Sequence, residues 1–402
     1  MTMEPTAYRV GWLIDGSGNP AVSNRIVTVE AGRIQNILPD SSAISGEMAV
    51  VDMSDCTVFP ALIDSHLHLV MSGGTEPGLR KHQLENGYAE RREIIAAHLK
   101  QHLLCGVLAV RDGGDHNGDV LRYKHDPSNQ PMPVFIAAPG RARRAPGRYG
   151  KLIGIEVRPG ESLTKSVFQA ESNRDHLKLV NSGLNSLTQF GVESPPQFEK
   201  AELEQVITAA RRRGLPTMVH ANGTLPVQLA VEAGCSSIEH GFFMGKANMQ
   251  RMADKGVVWV PTAATMKAYS DYLAKQGHRS DPSFAEVSHR NLDHQLEQIG
   301  IARQMGVTLA LGTDAGSPGV HHGFGVKMEL ELFVAAGYPV EEAIQCASSN
   351  GALLMGLTDR GTIAPGMRAD FMAVRTQPDR VPEFLHRISH RVVGGRIIEL
   401  ED

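Results

Sequence analysis

Six residues in this sequence are of the types that hold metal ions or carry protons, and each stands where a short apolar run meets a polar turn. His66 and His68 leave the run ending IDSHLHL. Lys178 lies in HLKLVNSG, His220 in MVHANG, His240 in IEHGFF and Asp314 in ALGTDAG. Imidazole and carboxylate are ordinary ligands of zinc and related divalent ions, and such ions activate water and polarise carbonyls. Side chains alternate along a strand, so His66 and His68 point the same way and can grip one ion. A lone His-x-His pair is a weak signal, because such residues also cap strand ends. Five ligand-type residues leaving four runs at one common end are a stronger one, provided that the runs are arranged to converge.

The arrangement follows from the pattern between them. Eight short apolar runs, at 58–63, 107–111, 134–138, 177–180, 217–219, 237–239, 257–261 and 308–311, read as strands. Segments with helical spacing separate most of them, most clearly at 90–104, 200–213 and 225–233. Gly106, Gly214, Gly234, Gly256 and Gly306 precede strands, where a helix-ending glycine belongs. Strands alternating with helices imply a parallel sheet, and eight is the number that closes a (β/α)8 TIM barrel, with its active site where the strands end. The two ends of the chain share a different character. Short strands and turn signals at 8–15, 23–37, 371–375 and 391–400 suggest one small β domain built from both termini. A long connection at 262–307 is either a lid over the site or an extra helix packed outside.

Bulk properties narrow the class. Forty-two per cent hydrophobic residues over 402 positions allow a large core. Lys+Arg number 40 and Asp+Glu 44, for a net charge of -4, which argues against nucleic-acid and membrane-surface partners. Cys56, Cys105, Cys235 and Cys346 form no CxxC pair, so neither a disulfide framework nor a thiolate zinc site is expected. The N-terminal stretch lacks the basic-then-apolar order of a secretory signal, and no apolar run approaches a membrane span. The reading is a cytoplasmic protein.

Taken in order, His66-x-His68, Lys178, His220, His240 and Asp314 resemble the ligand series of the amidohydrolase superfamily. VTLALGTDAG followed by MELELFVAAGYPVEEAIQCASSNGALLMGL, and GTIAPGMRADFMAV near the end, resemble its imidazolonepropionase-like and Xaa-Pro dipeptidase-like members. The resemblance covers nearly the whole chain. It implies a small β-sandwich domain (1–57 with 361–402) beside a catalytic (β/α)8 barrel (58–360), a small-molecule substrate and a homo-oligomer. It also implies a role for Lys178. An ammonium group crowded by metal ions and burial loses its proton readily, and the neutral amine can add carbon dioxide to become a carbamate. In binuclear members such a carboxylated lysine joins two ions; the alternative is a lysine that only snorkels from a strand end. On this resemblance His66, His68 and Asp314 hold one ion, His220 and His240 the other, and carboxylated Lys178 and a hydroxide lie between them. Zinc is the default metal. Asp314 acts as general base and then general acid, with His240 beside it in the catalytic set.

The implied reaction is hydrolysis of an amide or other C–N bond in a dipeptide, an N-acyl amino acid or a cyclic amide. A mononuclear deaminase is an alternative, but deaminases of the superfamily place a glutamate two or three residues after the strand-five histidine and lack the lysine. Here the positions after His220 are Ala221, Asn222 and Gly223. Lactone or phosphotriester hydrolysis uses the same kind of centre. A non-catalytic binding module on this fold would show gaps in the ligand series, and there are none.

Substrate contacts are less legible. The loop PGRARRAPGRYGK at 139–151 offers Arg144 and Arg148 as a clamp for a carboxylate, against the alternative of a solvated basic loop. Dipeptidase-like members often carry GGHG here, where this chain has GRYGK. Asn181 and Ser182, and His321 and His322, follow strand ends and could touch substrate. Tyr269 and Tyr272 are lid candidates. Arg111 and Asp112 read as a structural ion pair, and the i,i+4 pair His98 and His102 as a solvated helix face.

Overall fold

In the computed structural model, residues 4–399 are described, apart from 45, 47, 77, 131, 171–172 and 277–281. The alternating segments at the two ends form β1 (Thr6–Leu13), β2 (Val22–Glu30), β3 (Arg33–Pro39), β4 (Ala49–Pro60), β14 (Phe371–Val374), β15 (Ile388–Val393) and β16 (Arg396–Ile397). They hydrogen-bond in the order β16-β15-β14-β4-β1-β2-β3. The expected sandwich is one continuous sheet folded over itself. The fold brings β3 against the segment before β14, where Ile34 N–H donates to the Met367 carbonyl at 2.9 Å, and sets Tyr8 of β1 edge-on against Phe371 of β14 with ring centroids 5.1 Å apart. Tyr8, Val27, Ile34, Met53, Phe371 and Val392 are buried together between its halves.

β4 runs through Ala61 straight into β5 (Leu62–Leu67), so the predicted run 58–63 straddles two sheets. From β5 the parallel neighbours are β6 (Val107–Asp112) and β7 (Phe135–Ala137). A second parallel set contains β8 (Ala142–Arg144), β9 (Gly154–Glu156), β10 (Leu177–Val180), β11 (Thr217–Ala221), β12 (Ser237–His240) and β13 (Val258–Val260). Single contacts join the two sets into a ring. On one side Asp175 N–H reaches the Ala138 carbonyl at 3.0 Å. On the other, the run 308–315 bonds to β13 through Trp259 and to β5 through Ser65 and His66. That makes the eight positions that the sequence pattern calls for. The eighth makes only isolated bridges, because Gly312 and the turn at Asp314 break its ladder. β5, β6 and β10 to β13 are buried at every position, as strands covered on both faces must be. The register sets Val180 beside His220 and Ala221 beside His240, so all these strands end at the same level.

The connecting helices are α1 (Leu79–Glu85), α2 (Tyr88–Leu104), α3 (Asp119–His125), α4 (Leu163–Ala170), α5 (Lys200–Arg211), α6 (Thr224–Glu232) and α7 (Lys246–Lys255). They continue with α8 (Ala264–Gln276), α9 (Pro282–Gln304), α10 (Phe324–Ala335), α11 (Val340–Cys346), α12 (Ser349–Leu354) and α13 (Val381–Phe384). α7 ends on Gly256 in the left-handed conformation (φ 65°), which spares a side chain the clash it would meet there. The insertion splits its two expected roles. α9 packs outside the ring against α7 and α10, and α8 lies at the ring's mouth; 277–281, between them, fall outside the described residues. No helix among the described residues is long and apolar enough to cross a membrane.

The face of α2 bearing His98 and His102 is not solvated. Arg91, Ile95, His98, Leu99 and His102 form its buried stripe. His98 Nδ1–H donates to the Leu69 carbonyl at 2.7 Å and its ring stacks on His322 at 3.9 Å between centroids. His102 Nε2 lies 3.2 Å from His322 Nδ1, and His322 Nε2–H donates to the Met71 carbonyl at 2.8 Å. These bonds anchor the chain just past His68 to α2. Burial lowers His98 to about 4 and His102 to about 3, with the charge of neighbouring His98 adding to the latter. Both stay neutral when folded, whereas in the unfolded chain they titrate near 6.5. Folded values below unfolded ones mean that the stability they contribute is present above pH about 6.5 and is lost as pH falls toward 4. Each should steepen acid destabilisation by up to ~1.4 kcal/mol per pH unit. Urea unfolding between pH about 7 and about 4.5 should therefore show a shallower loss for His102→Gln than for the wild type; equal slopes would contradict this.

Candidate metal centre

All six strand-end residues line one cavity of about 220 Å³ at the carboxyl end of the ring. β5 delivers His66 and His68, β10 Lys178, β11 His220 and β12 His240; Asp314 follows the eighth run. His66, His68 and Asp314 each bring a ligand-type atom within 4.8 Å of the others. Asp314 Oδ1 is 3.3 Å from His68 Nε2 and 3.6 Å from His66 Nε2. The His66 and His240 rings are 4.9 Å apart, and those of His220 and His240 4.5 Å. His240 (φ 69°) and Asp314 (φ 55°) both adopt the left-handed backbone that side chains rarely take. Such strain costs on the order of 1–3 kcal/mol and persists where the surroundings enforce a functional geometry.

Each imidazole is oriented by a bond from one nitrogen, which leaves the other facing the cavity. His66 Nδ1–H donates to Glu239 at 2.7 Å and His68 Nδ1–H to the Gly114 carbonyl at 2.9 Å. His240 Nδ1 meets Thr262 Oγ1 at 2.7 Å. His220 is turned the other way, with Nε2–H on the Gly183 carbonyl at 3.1 Å. Three rings thus offer Nε2 and one offers Nδ1. A Cβ at Gly113 would lie 2.5 Å from His68 Cε1, so only glycine leaves room for that ring.

The electrostatics favour neutral His66, His220 and His240 around anionic Asp314. Burial lowers His66 to about 4 and His220 to about 3. Burial alone would raise Asp314, but the hydrogen bond from His68 and the histidines around it hold its carboxyl far below the usual range. Lys178 is the anomaly. Its Nζ is buried and, among the described residues, makes no hydrogen bond. Burial lowers it to about 8, against the pull of Glu239 and Asp314. An amine so placed is available to react or to ligate.

Several contributors were not singled out in the sequence. Glu239, directly before His240, receives Arg111 at 2.6 Å as well as His66. Burial would raise its carboxyl, but Arg111 and then His66 pull it well below its ordinary range. Arg111 therefore pairs with Glu239 rather than with Asp112, which instead accepts N–H bonds from Leu69 and Gly114. The signal was there: two opposite charges inside apolar strands. Arg80 and Tyr149 also line the cavity.

Of the residues proposed to touch substrate, Arg148 lines this cavity. Arg144, Asn181, His321 and His322 do not. Arg144 is buried against Glu156 at 2.9 Å, and Asn181 is fully buried, tying the Pro226 carbonyl to Phe198 N–H. His321 is exposed, and His322 sits in the histidine cluster behind β5. The basic loop is mostly structural, because its arginines satisfy their own neighbours first.

Fold and site together define an α/β enzyme working at the mouth of a parallel ring. The pattern of the amidohydrolase family matches residues 57–398, and the chain belongs to that family of hydrolases. It is similar to an imidazolonepropionase of Porphyromonas gingivalis, 24% identical over 423 residues that cover 96% of this chain and 90% of that protein. A solved Xaa-Pro dipeptidase with methionine bound in its active site superposes with a TM-score of 0.81 at 24% identity, over 98% of this chain and 100% of that one. The ochratoxinase of Aspergillus niger superposes with a TM-score of 0.79 at 20% identity, over 99% and 96%. The structural likenesses establish a shared fold.

Orienting carboxylates behind metal-ligating histidines typically tune affinity by about 10–100-fold. If His66 holds a divalent ion, Glu239→Gln should weaken that ion's binding by roughly that factor in competition with a chelating dye, and unchanged affinity would contradict the orienting role.

Proposed function

We propose that this chain hydrolyses a C–N bond of a small molecule, an N-acyl amino acid or a dipeptide, at a centre of two divalent ions. One observation carries the reading: the Lys178 amine is buried, has no hydrogen-bond partner among the described residues, and is depressed toward neutrality among four histidines and an aspartate. That is the chemistry of an amine poised to take up carbon dioxide, losing a proton as the N–C bond forms and leaving a carbamate anion. His66, His68 and Asp314 would hold one ion and His220 and His240 the other, with carboxylated Lys178 shared between them. The imidazole and carboxylate donors suit zinc. Bound there, the ions supply an acidified water and a polarised scissile carbonyl.

The chain's own residues do the rest. Asp314, held anionic, accepts the proton of the attacking water at a carboxylate oxygen and returns it to the leaving nitrogen. An amide nitrogen cannot depart unprotonated, so this return is as necessary as the attack. Anion recognition falls to Arg80, whose guanidinium reaches the Gly316 carbonyl and forms no ion pair among the described residues, and to Arg148, which lines the same cavity. A deaminase reading finds no support two residues after His220, where Asn222 is spent on the Phe242 and Gly183 backbone. The free state of all four cysteines fits a cytoplasmic setting. The same reading treats 58–360 as the catalytic unit and 1–57 with 361–402 as a small β unit beside it.

Chelator-treated protein should lose hydrolysis of a panel of N-acyl amino acids and dipeptides and regain it with zinc and bicarbonate. Turnover that survives chelation would sink the metal reading. Arg80→Ala should raise KM for carboxylate substrates by at least about tenfold while kcat changes little, a pattern of lost ground-state binding. An unchanged KM would remove Arg80 from the anion site.

A further inference from the structure

A second chamber opens from the first. It has a volume of about 570 Å³ and shares Arg80, Tyr149, His240, Asp314 and Ser317 with the inner cavity. Its own walls are different in kind. α8 contributes Met266, Tyr269 and Tyr272 at three-residue spacing, and Leu184, Leu187 and Phe242 face them. Leu184 is 54% exposed and Tyr272 38%, so large apolar surface is left open where a folded chain would ordinarily cover it. The cations Arg148 and Lys151 line only the inner cavity. The outer chamber thus adds a broad apolar wall with Glu76 at its edge, whereas Arg148 and Lys151 belong to the inner cavity, and the two connected spaces meet at the reacting residues.

The placement of α8 is built rather than incidental. The buried carboxyl of Glu329 on α10 accepts the backbone N–H groups of Ala263 and Ala264, at 2.9 and 2.6 Å, where α8 begins. Thr262, one residue earlier, contacts His240. The apolar wall and the proposed ligand are therefore fixed to each other within three residues.

We infer that the outer chamber is a subsite for a bulky uncharged acyl group, aromatic or long-chain, and that the inner cavity takes the carboxylate-bearing amine half. This rests on the amide reading for the direction of cleavage, but not for binding. The size is that of ligand pockets in general, and far exceeds what an acetyl group fills.

The test compares N-(2-naphthoyl)glycine with N-acetylglycine by titration calorimetry on the metal-loaded protein, alongside hydrolysis of both. The naphthoyl probe should bind at least roughly tenfold more tightly, from buried apolar area alone. Leu184→Asp and Tyr272→Ala, both at exposed positions, should erase most of that advantage, leave acetylglycine affinity unchanged and keep the wild-type melting temperature. Equal affinities, no measurable naphthoyl binding, or an advantage that survives both variants would overturn the subsite. A naphthoyl preference without turnover of either probe would leave the subsite standing and remove the amide reading. Equal binding with equal turnover would do the reverse.

Discussion

A buried amine with no acceptor is among the least tolerable groups a fold can contain, and among the described residues nothing accepts from Lys178 at the centre of this one. Desolvation penalises its charged form, and the nearby carboxylates only partly compensate. The ring places it there without choice: β10 lies beside β11, and its second residue is held in register with Met218. Burial favours its neutral form, against the pull of the carboxylates of Glu239 and Asp314. Burial keeps His66, His220 and His240 neutral, and the acids that act on the amine most strongly, Glu239 and Asp314, are anionic and committed to histidines. A lysine meant only to snorkel would reach solvent, and this one does not.

The layer behind the cluster explains its rigidity. Arg111 spans from the Ser65 carbonyl to Ser237 and Glu239, linking three strands of the ring through one guanidinium. Glu239 then fixes His66, and Thr262 fixes His240. Asp64 accepts the N–H and hydroxyl of Thr313, at 3.0 and 2.6 Å, locking the strained turn that presents Asp314. Buried ion pairs of this kind do little for net stability but hold a single geometry. Here that geometry is the direction in which each free imidazole nitrogen points.

How much of this could be read from the sequence differs by layer. The six strand-end residues were legible because parallel strands end at one level, so a rule about where runs stop locates side chains in space. Glu239 and Arg111 gave a signal in the form of charge inside apolar runs, but their partnership spans 128 residues and has no local pattern. Arg80 lies on a short helix after the first strand, where nothing marks it as facing the site. The stripe of Arg91, Ile95, His98 and His102 has the spacing of a buried face. It reads as solvated only because most of its members are polar, and the partners of His98 and His102, the Leu69 carbonyl and His322, lie far from them in the chain. The arginine-rich loop misleads for the opposite reason. Arg144 is surrounded by acceptors from its own neighbourhood, so little of its charge is left for a substrate.

The most direct test of the account is the metal content of the purified protein by plasma mass spectrometry, with Lys178→Ala measured beside it. The account predicts about two divalent ions per wild-type chain and a clear fall in the variant, with melting behaviour showing that the variant is folded. One ion per chain in both proteins would contradict it, because Lys178 would then hold nothing and the centre would be mononuclear.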